Sequence, residues 1–472
     1  MPAGIIKNYM MSGENDVWNL SVKSTNKIYF LLGIVITVIA WHNPAIHSYP
    51  ETAGFLLIAA SCWLVLYIYL DHFCAEIVRI TMKTLFIIML IVTFIIITRV
   101  VLSYPDKSLF ILIPYAIIPV VIRTFYDTRL AFVVLMISAV LLSFFVPSQS
   151  EFIFILIISG FTAIFSLTNY HRKGKFFITA FAVTVAYSVC HTGMVLVNEG
   201  SFAGLNGSDY LKYAGNGLLL LLSYPLIFIF EKRFKFLSDT TLLELTNPAQ
   251  PLLQKLAGEA PGSFQHSLQV ANLAEEAAMV TGANPLLVRA GSLYHDIGKI
   301  ASPLYYAENL NNNVSPHESL NPEDSARVII NHINNGVTLG KNFKLPSQII
   351  DFIRTHHGTT VAWYFFRKYT DSQPWDTSRE KEFSYPGPKP FSKETAIVMM
   401  ADAVEASSRS LGTKTEESIS ELVERIIMLQ EEDGQYSEVP FTYKDISDIK
   451  ETFKKRLSTI YHVRIAYPDR EL

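Results

Sequence analysis

The stretch LVRAGSLYHDIGKI, residues 287–300, carries an apolar pattern that ends on a histidine and an aspartate. Its apolar residues recur at spacings of three and four, the period of an α-helix with one buried face. Adjacent side chains on a helix point about 100° apart, so His295 and Asp296 can serve two neighbouring cations. Such a dipeptide also occurs by chance, and the pair by itself is a weak signal. Its weight depends on what accompanies it.

The same helical period recurs through the rest of residues 261–472, and strand-like alternation is nearly absent. Pro322, followed by two acidic residues, is a typical helix start. Residues 414–431 and 443–460 predict two more helices, and residues 371–392 predict a loop. The helical segments read SFQHSLQVANLAEEAAMV, PLLVRAGSLYHDI, PEDSARVIINHI, SQIIDFIRTHH and ETAIVMMADAVEASSRS. The sequence therefore predicts an all-α domain over residues 261–472.

Residues of the kinds that bind metals stand on these helices: His266, His295, Asp296, His332, His356, His357 and Asp402. Imidazole and carboxylate ligands together favour iron, manganese or zinc over magnesium or calcium. Any one of these histidines alone is more often a surface or core residue than a ligand. Asp402, however, lies in the apolar stretch MMADAVEA, where an unpaired carboxylate would be costly. Together, the seven residues predict a centre for two cations with a bridging carboxylate.

The other half of the chain is apolar. Only 17% of all residues are charged, and most of these follow residue 232. Apolar runs cover about 28–41, 53–70, 84–103, 109–122, 130–146, 152–168, 176–197 and 215–230. A helix that crosses the hydrocarbon core needs about 20 apolar residues. We therefore predict a polytopic α-helical membrane domain of about eight spans. The short run 28–41 could instead be a buried core helix.

Lysine and arginine are concentrated in alternate loops, which is the pattern that orients membrane proteins. The basic connections hold Arg79 and Lys83, Arg123 and Arg129, Arg172, Lys173 and Lys175, and Lys232, Arg233 and Lys235. This predicts a plasma-membrane protein whose C-terminal half faces the cytoplasm. We divide the chain into a cytosolic tail (1–27), a transmembrane domain (28–232), a helical connector (233–260) and a cytosolic domain (261–472).

Within the spans, Arg99 and His191 are the clearest ionisable residues. Arg99 is close enough to a helix end to extend its head group to the interface. We interpret His191 as a packed, hydrogen-bonded polar residue. The spans contain neither a charged relay nor a repeated broken helix, which are the patterns that would indicate a transporter. The net charge of −3 gives no sign of a nucleic acid polymer as partner.

The ordered series H…HD…H…HH…D resembles the HD superfamily of metal-dependent phosphohydrolases. The segments PGSFQHSLQVANLAEEAA, LVRAGSLYHDIGKI, NPEDSARVIINHI, IIDFIRTHHGTT and FSYPGPKPFSKETAIVMMADAVEASSRS resemble, more closely, the seven-transmembrane HD family of bacterial cyclic di-AMP phosphodiesterases. The likeness extends from about residue 50 to the C-terminus.

This resemblance implies a set of roles. One metal would be held by His266, His295, Asp296 and Asp402, and the other by Asp296, His332, His356 and His357. The family's metals would be iron or manganese. A water activated by both would attack one phosphodiester of cyclic di-AMP and give linear pApA. Lys299 would help hold phosphate, although a surface lysine one turn past the site is an equally good interpretation.

One departure from the family concerns the external region. Family members usually carry a sizeable extracellular domain after the first helix, whereas here only HNPAIHSYPET, residues 42–52, could occupy that place. Either signal input does without an external domain or the chain is a shortened form. The catalytic inference does not depend on this region.

The same residues also bear on three other possible functions. A cyclic di-GMP enzyme of the HD-GYP type would carry GYP after the paired histidines, but GTTVAWYF follows His357. Another nucleotide phosphohydrolase would not explain the membrane half. A membrane receptor whose HD domain binds nucleotide without cleavage is disfavoured because all seven ligand positions are filled. The sequence leaves a homodimer open.

Overall fold

The protein is described here from a computed structural model, which covers residues 24–167, 175–310, 314–372 and 377–461. The chain divides into two compact units, with the division between Ser238 and Asp239. The N-terminal tail up to residue 23, and with it most of the predicted cytosolic tail, lies outside the described residues. So do the basic residues Arg172 and Lys173 of one predicted cytoplasmic loop.

The first unit consists of ten helices in its described part. They are α1 (Ser24–Trp41), α2 (Tyr49–Phe73), α3 (Ala75–Val78), α4 (Thr81–Val101), α5 (Ile117–Phe125), α6 (Thr128–Ser143), α7 (Gln149–Ser166), α8 (Lys175–Glu199), α9 (Gly207–Leu220) and α10 (Ser223–Phe234). Two 3₁₀ segments, Lys107–Leu112 and Phe202–Gly204, join some of them.

Seven helical stretches of this unit are long and apolar enough to cross a membrane, and α6 is a shorter apolar helix. These eight correspond to the eight predicted runs. The stretch Lys107–Phe125 is helical in two parts, with Pro114 between the 3₁₀ segment and α5. Large apolar side chains also cover the outside of the bundle, for example Leu57 (70% exposed) and Phe181 (73% exposed). An outward apolar surface of this kind is suited to lipid rather than water.

Small residues allow these helices to approach closely. A Cβ atom on Gly160 of α7 would lie 2.5 Å from the Leu135 side chain of α6. A Cβ atom on Gly217 of α9 would lie 1.8 Å from Oγ1 of Thr184 in α8. Close backbone approach at glycine is the common packing mode of membrane helices.

The second unit is also helical, and its described residues contain no β-strand, only a single bridge between Val361 and Ser384. Its helices are α11 (Asp239–Leu245), α12 (Pro251–Glu259), α13 (Pro261–Thr281), α14 (Pro285–Tyr294), α15 (Pro322–Ile330), α16 (His332–Asn342), α17 (Ser347–Thr355), α18 (Trp363–Ser372), α19 (Lys393–Arg409), α20 (Glu416–Glu432) and α21 (Tyr443–Tyr461). The predicted all-α fold is confirmed.

The predicted helix start at Pro322 is confirmed, because the Asn321 side chain caps α15 by accepting the backbone N–H of Asp324 at 2.7 Å. The two predicted C-terminal helices correspond to α20 and α21. The segment predicted as a loop, 371–392, begins inside α18 and includes the 3₁₀ helix Thr377–Phe383. The side chain of Phe383 is fully buried beside Phe366, which anchors the end of this 3₁₀ helix.

The core of this unit lies along α19, which packs against α13 and α14. Ala396, Ile397, Val398, Met400 and Ala401 are fully buried on it. The polar residues of the predicted centre lie around this core, some at helix ends and others within α13 and α19. The fold therefore brings segments that are more than a hundred residues apart to one place.

Candidate metal centre

Five segments of the second unit supply the predicted ligands. His266 is in the second turn of α13, and His295 and Asp296 end α14. His332 opens α16, and His356 and His357 follow α17. Asp402 is in the middle of α19. All seven side chains converge on one place, and all except His357 are buried.

Asp296 lies at the middle of this cluster, with its two oxygens directed to different sides. Oδ2 is 3.3 Å from Nε2 of His295 and 3.7 Å from Nε2 of His266. Oδ1 is 3.5 Å from Nε2 of His332 and 3.6 Å from Nε2 of His356. A carboxylate with this placement is suited to bridge two cations.

The two sides are compact enough to form separate cation sites. On one side, donor atoms of His266, His295 and Asp402 lie within 4.8 Å of one another, and on the other those of His332, His356 and His357 do. Nε2 of His266 is 2.8 Å from Oδ1 of Asp402, and Nδ1 of His357 is 3.7 Å from Oδ2 of Asp402.

Hydrogen bonds at Nδ1 fix how four of the imidazoles point. Nδ1 of His295 donates to the Ser292 carbonyl at 2.7 Å, and Nδ1 of His356 donates to the Ile353 carbonyl at 2.9 Å. His332 and His266 make the equivalent bonds to the Ile329 carbonyl and to the Glu405 carboxylate. Because these partners only accept, Nδ1 carries a proton, and Nε2 is the nitrogen that can bind a metal once it is deprotonated.

Several buried atoms at the centre have charged neighbours but no hydrogen bond of standard geometry. Within the described part of the chain, Nε2 of His295 and both oxygens of Asp296 make no hydrogen bond of standard geometry. His295 is fully buried and Asp296 is 1% exposed. Buried polar groups are normally satisfied, and exceptions require an explanation. A bound transition-metal ion would explain these exceptions, because the nitrogen and carboxylate donors of the cluster suit such ions.

Burial and neighbouring charges raise the pKa of some histidines of the centre and lower the pKa of others. Burial disfavours the charged form of His295, but the carboxylates of Asp296 and Asp402 outweigh it and raise the pKa of His295 to about 10. Burial, with the neighbouring His356, lowers the pKa of His332 to about 3. Burial and His356 likewise hold the pKa of His357 well below its usual range. His332 and His357 are therefore neutral, as ligands must be.

Lys299 lies beside the centre rather than one turn away from it. Its Nζ atom is 2.7 Å from Oδ2 of Asp296 and 2.9 Å from Oε1 of Glu308. Burial opposes the charged form of Lys299, yet Asp296 and Glu308 raise the pKa of its amine well above the usual value. The same lysine keeps the pKa of Asp296 well below its usual range despite burial. The predicted phosphate contact of Lys299 stays a prediction.

Glu405 contacts the predicted centre, although the sequence patterns did not select it. It lies one turn after Asp402 on α19, is 5% exposed, and accepts the hydrogen bond from Nδ1 of His266. Its other oxygen accepts from Nε and Nη2 of Arg409, at 2.8 and 2.6 Å. The spacing of three from Asp402 was the available signal, since such residues share a helix face.

A cavity of about 760 Å³ opens beside the centre. Its wall includes His266, Lys299, His357, Asp402 and Arg409. This volume falls in the range of typical small-molecule sites, about 300–1,000 Å³. A substrate in it would meet two basic side chains and the ligand cluster at once.

An all-helical domain with these histidines and aspartates at its centre defines the HD class of metal-dependent hydrolase folds. The family model described as "HD domain" matches residues 263–407. The model described as "7TM receptor with intracellular HD hydrolase" matches residues 49–238. The chain is a multi-pass membrane protein that belongs to the seven-transmembrane HD family.

Curated relatives agree with this assignment. The chain is 36% identical over 362 residues to the cyclic-di-AMP phosphodiesterase PgpH of Listeria monocytogenes, covering 76% of this chain and 50% of that protein. It is 38% identical over 315 residues to the PgpH of Bacillus subtilis, covering 66% and 44%. The chain thus spans about half the length of these relatives.

Among solved structures, the HD domain of the Listeria monocytogenes phosphodiesterase PgpH is similar to this chain. It was solved by itself (42% identity, TM-score 0.43) and in complex with cyclic-di-AMP (43% identity, TM-score 0.44). These matches cover 45% and 46% of this chain and the whole of the solved chains.

Proposed function

We propose that the protein is a membrane-bound phosphodiesterase that hydrolyses cyclic di-AMP to linear pApA. The observation that carries the proposal is the placement of Asp296, whose two oxygens face two separate sets of imidazole nitrogens. Two curated relatives named for cyclic-di-AMP hydrolysis, at 36% and 38% identity, support the choice of substrate.

The centre would hold two transition-metal ions, iron or manganese. His266, His295, Asp296 and Asp402 would bind one, and Asp296, His332, His356 and His357 the other. Metal ions in such a site supply Lewis acidity, which lowers the pKa of water and stabilises negative charge on phosphate. Because Nδ1 is held by a carbonyl or carboxylate in four of these histidines, little reorganisation is needed before they bind.

The chain's remaining groups would bind and orient the dinucleotide. Lys299 and Arg409 line the cavity and bring positive charge toward a phosphodiester. In the reaction the oxygen of water becomes bonded to phosphorus, and the 3′ oxygen leaves and takes up a proton. One phosphodiester is opened, so the product keeps a 5′ phosphate.

The basic loops at alternate crossings support a cytoplasmic position for the second unit. Three of their described members, Arg79, Arg123 and Lys232, stand at or just after the ends of spans that alternate along the chain. The domain boundaries given above and the homodimer stay predictions. Cysteine labelling from outside intact cells would test orientation. Cysteines introduced into the segment 42–48 and into α20 should react from opposite sides.

Hydrolysis is tested directly with residues 237–472, which contain the whole HD unit. Loaded with manganese or iron, this fragment should convert cyclic di-AMP to pApA, and the double change of His295 and Asp296 to alanine should abolish the activity. A linear RNA oligonucleotide serves as a control that should not be cleaved.

Two results would overturn the proposal. Preferential cleavage of cyclic di-GMP would replace the substrate. A fragment that binds cyclic di-AMP tightly but contains no metal and cleaves nothing would indicate a receptor instead.

A further inference from the structure

A second polar cavity lies inside the membrane unit, within the helices and well apart in sequence from the HD centre. Its volume is about 260 Å³. Glu151 of α7, Tyr187 and His191 of α8, and Tyr213 and Asn216 of α9 line it. Lys107 and Ser148 mark the end of the unit at which it lies, which the charge pattern predicts to be the outer one.

His191 directs one ring nitrogen into a hydrogen bond and leaves the other without one. Nδ1 lies 3.0 Å from Oε1 of Glu151. A carboxylate accepts, so Nδ1 carries a proton. Within the described residues, Nε2 has no hydrogen-bond partner, although His191 is only 9% exposed. The carboxylate of Asp209 is 4.0 Å away, beyond hydrogen-bonding distance.

Asn216 presents a second buried acceptor. Its Nδ2 atom donates to the carbonyls of Ile111 and Ile113, at 2.8 and 2.7 Å, which fixes the orientation of the amide. Oδ1 therefore has its lone pairs available, and among the described atoms it has no partner. The Tyr187 hydroxyl lies close to Ser159 and Asn216, but likewise makes no hydrogen bond of standard geometry in the described structure. Buried unsatisfied groups are costly inside a membrane.

The basic groups near this cavity are already engaged. Nζ of Lys212 is 2.9 Å from Oδ1 of Asp209 and 2.7 Å from Oγ of Ser108. Nζ of Lys107 donates to the carbonyl of Leu102. The carboxylate of Glu151 and the Oδ1 atom of Asn216 thus remain as acceptors on the wall. A ligand with N–H groups and positive charge would complement them.

The size and the remaining lining define the rest of the ligand. A dry cavity of about 150 Å³ accommodates benzene, so this one has room for about ten non-hydrogen atoms. Tyr115, Phe152, Tyr187 and Tyr213 supply aromatic walls. Aromatic faces attract organic cations as well as apolar groups. A single ordered water would leave most of this space unused.

We propose that this cavity is a binding site for a small organic ammonium compound, with the ammonium group at Glu151, His191 and Asn216 and the apolar body against the tyrosines. The alternative is that these polar residues only hold α7, α8 and α9 together and bind no ligand. The two differ in whether a ligand of this chemistry binds with saturation.

The test uses residues 1–472 in lipid nanodiscs made of phosphatidylglycerol, titrated with phenethylamine in a calorimeter. The matched probe is 2-phenylethanol, which has the same size but a hydroxyl in place of the ammonium group. We expect saturable binding of phenethylamine at one site, and at least tenfold weaker binding of 2-phenylethanol. The absence of saturable phenethylamine binding, or equal binding of the two probes, would overturn the proposal.

Two variants locate the site. Glu151→Gln removes the cavity's carboxylate charge and should weaken phenethylamine binding at least tenfold. Glu199→Gln removes an exposed carboxylate at the end of α8 and should leave it unchanged. Equal affinity of wild type and Glu151→Gln would contradict the assignment. If Glu151→Gln does not fold, the two probes still decide the matter on the wild-type chain.

An ammonium group could reach this cavity from a free amine or from a lipid head group. Adding phosphatidylethanolamine to the nanodiscs separates the two sources. Competitive weakening of phenethylamine binding would identify the lipid head group, and unchanged binding a free amine. Either result agrees with an ammonium site.

Discussion

The carboxylate of Glu405 accepts the Nδ1 hydrogen of His266, a residue 139 positions earlier in the chain. This bond sets the tautomer in which Nε2 of His266 faces Asp296 and Asp402. Arg409 holds the other oxygen of Glu405. Glu405 is thus a positioning residue for one predicted metal ligand.

Glu405→Gln should weaken metal binding about 10- to 100-fold, the range typical of residues that orient metal ligands. Manganese affinity, measured by competition with a chelator, checks this. Glu421→Gln changes an exposed acid on α20 and serves as the control. Equal metal affinity of the Glu405 variant and the wild type would show that His266 needs no such support.

Asp296→Asn should reduce the metal content of the purified HD domain more than Asp402→Asn does. Asp296 lies near two nitrogen atoms of each set, whereas Asp402 lies near two of one set but only one, from His357, of the other. Metal per chain, measured by atomic emission, is the readout. A variant that keeps two metals without Asp296 would rule out its bridging role.

Metal binding should release protons and become stronger as pH rises. The pKa of His295 is raised to about 10, so below that pH its Nε2 is protonated and must lose the proton to bind a cation. His332, with a pKa of about 3, contributes no proton at neutral pH. Calorimetry in buffers of different ionisation enthalpy should show release of at least about one proton per chain at pH 7. Proton uptake would contradict the assigned charges.

Lys299→Gln separates two roles of this lysine. If Nζ holds phosphate, KM for cyclic di-AMP should rise while metal affinity is kept. The 2.7 Å contact with Asp296 allows a second outcome, in which metal affinity changes because the carboxylate has lost its neighbouring charge. Metal titration and steady-state kinetics on the same sample distinguish them.

Gly298→Ala should destabilise the HD domain by roughly 1–3 kcal/mol. A Cβ atom at Gly298 would lie 1.8 Å from the carbonyl oxygen of His332, so the start of α16 must shift. Gly258→Ala in α12 meets no atom within 4 Å and should be stabilising or neutral. Urea unfolding of residues 237–472 compares the two. Similar free energies of unfolding for the two variants would show that the structure around Gly298 shifts at little cost.

The comparison of sequence and structure shows where pattern reasoning succeeds. Helical periodicity plus residue type selected the seven predicted ligands, several of which stand at helix ends that the pattern marks, and the structure brings their side chains together. Their role as metal ligands stays a prediction. Glu405 could not be assigned, since its partner His266 is distant in sequence and only the packing of α13 on α19 joins them. His191 is predicted to be a packed, hydrogen-bonded residue, and the structure gives it one such bond, from Nδ1 to Glu151. The unsatisfied atoms beside His191 could not be predicted, because only the packing of the helices shows which polar atoms lack a partner.

Because five segments of the chain meet at the predicted centre, metal binding there would also affect the stability of the fold. Residues 266 and 402 lie at the two ends of the sequence that supplies the centre. A cation that binds only when these segments are assembled acts as a non-covalent cross-link, and it stabilises the native state in proportion to the logarithm of its concentration over its Kd. The abundance of the folded enzyme would then follow the cell's supply of the metal, independently of the rate at which each molecule turns over.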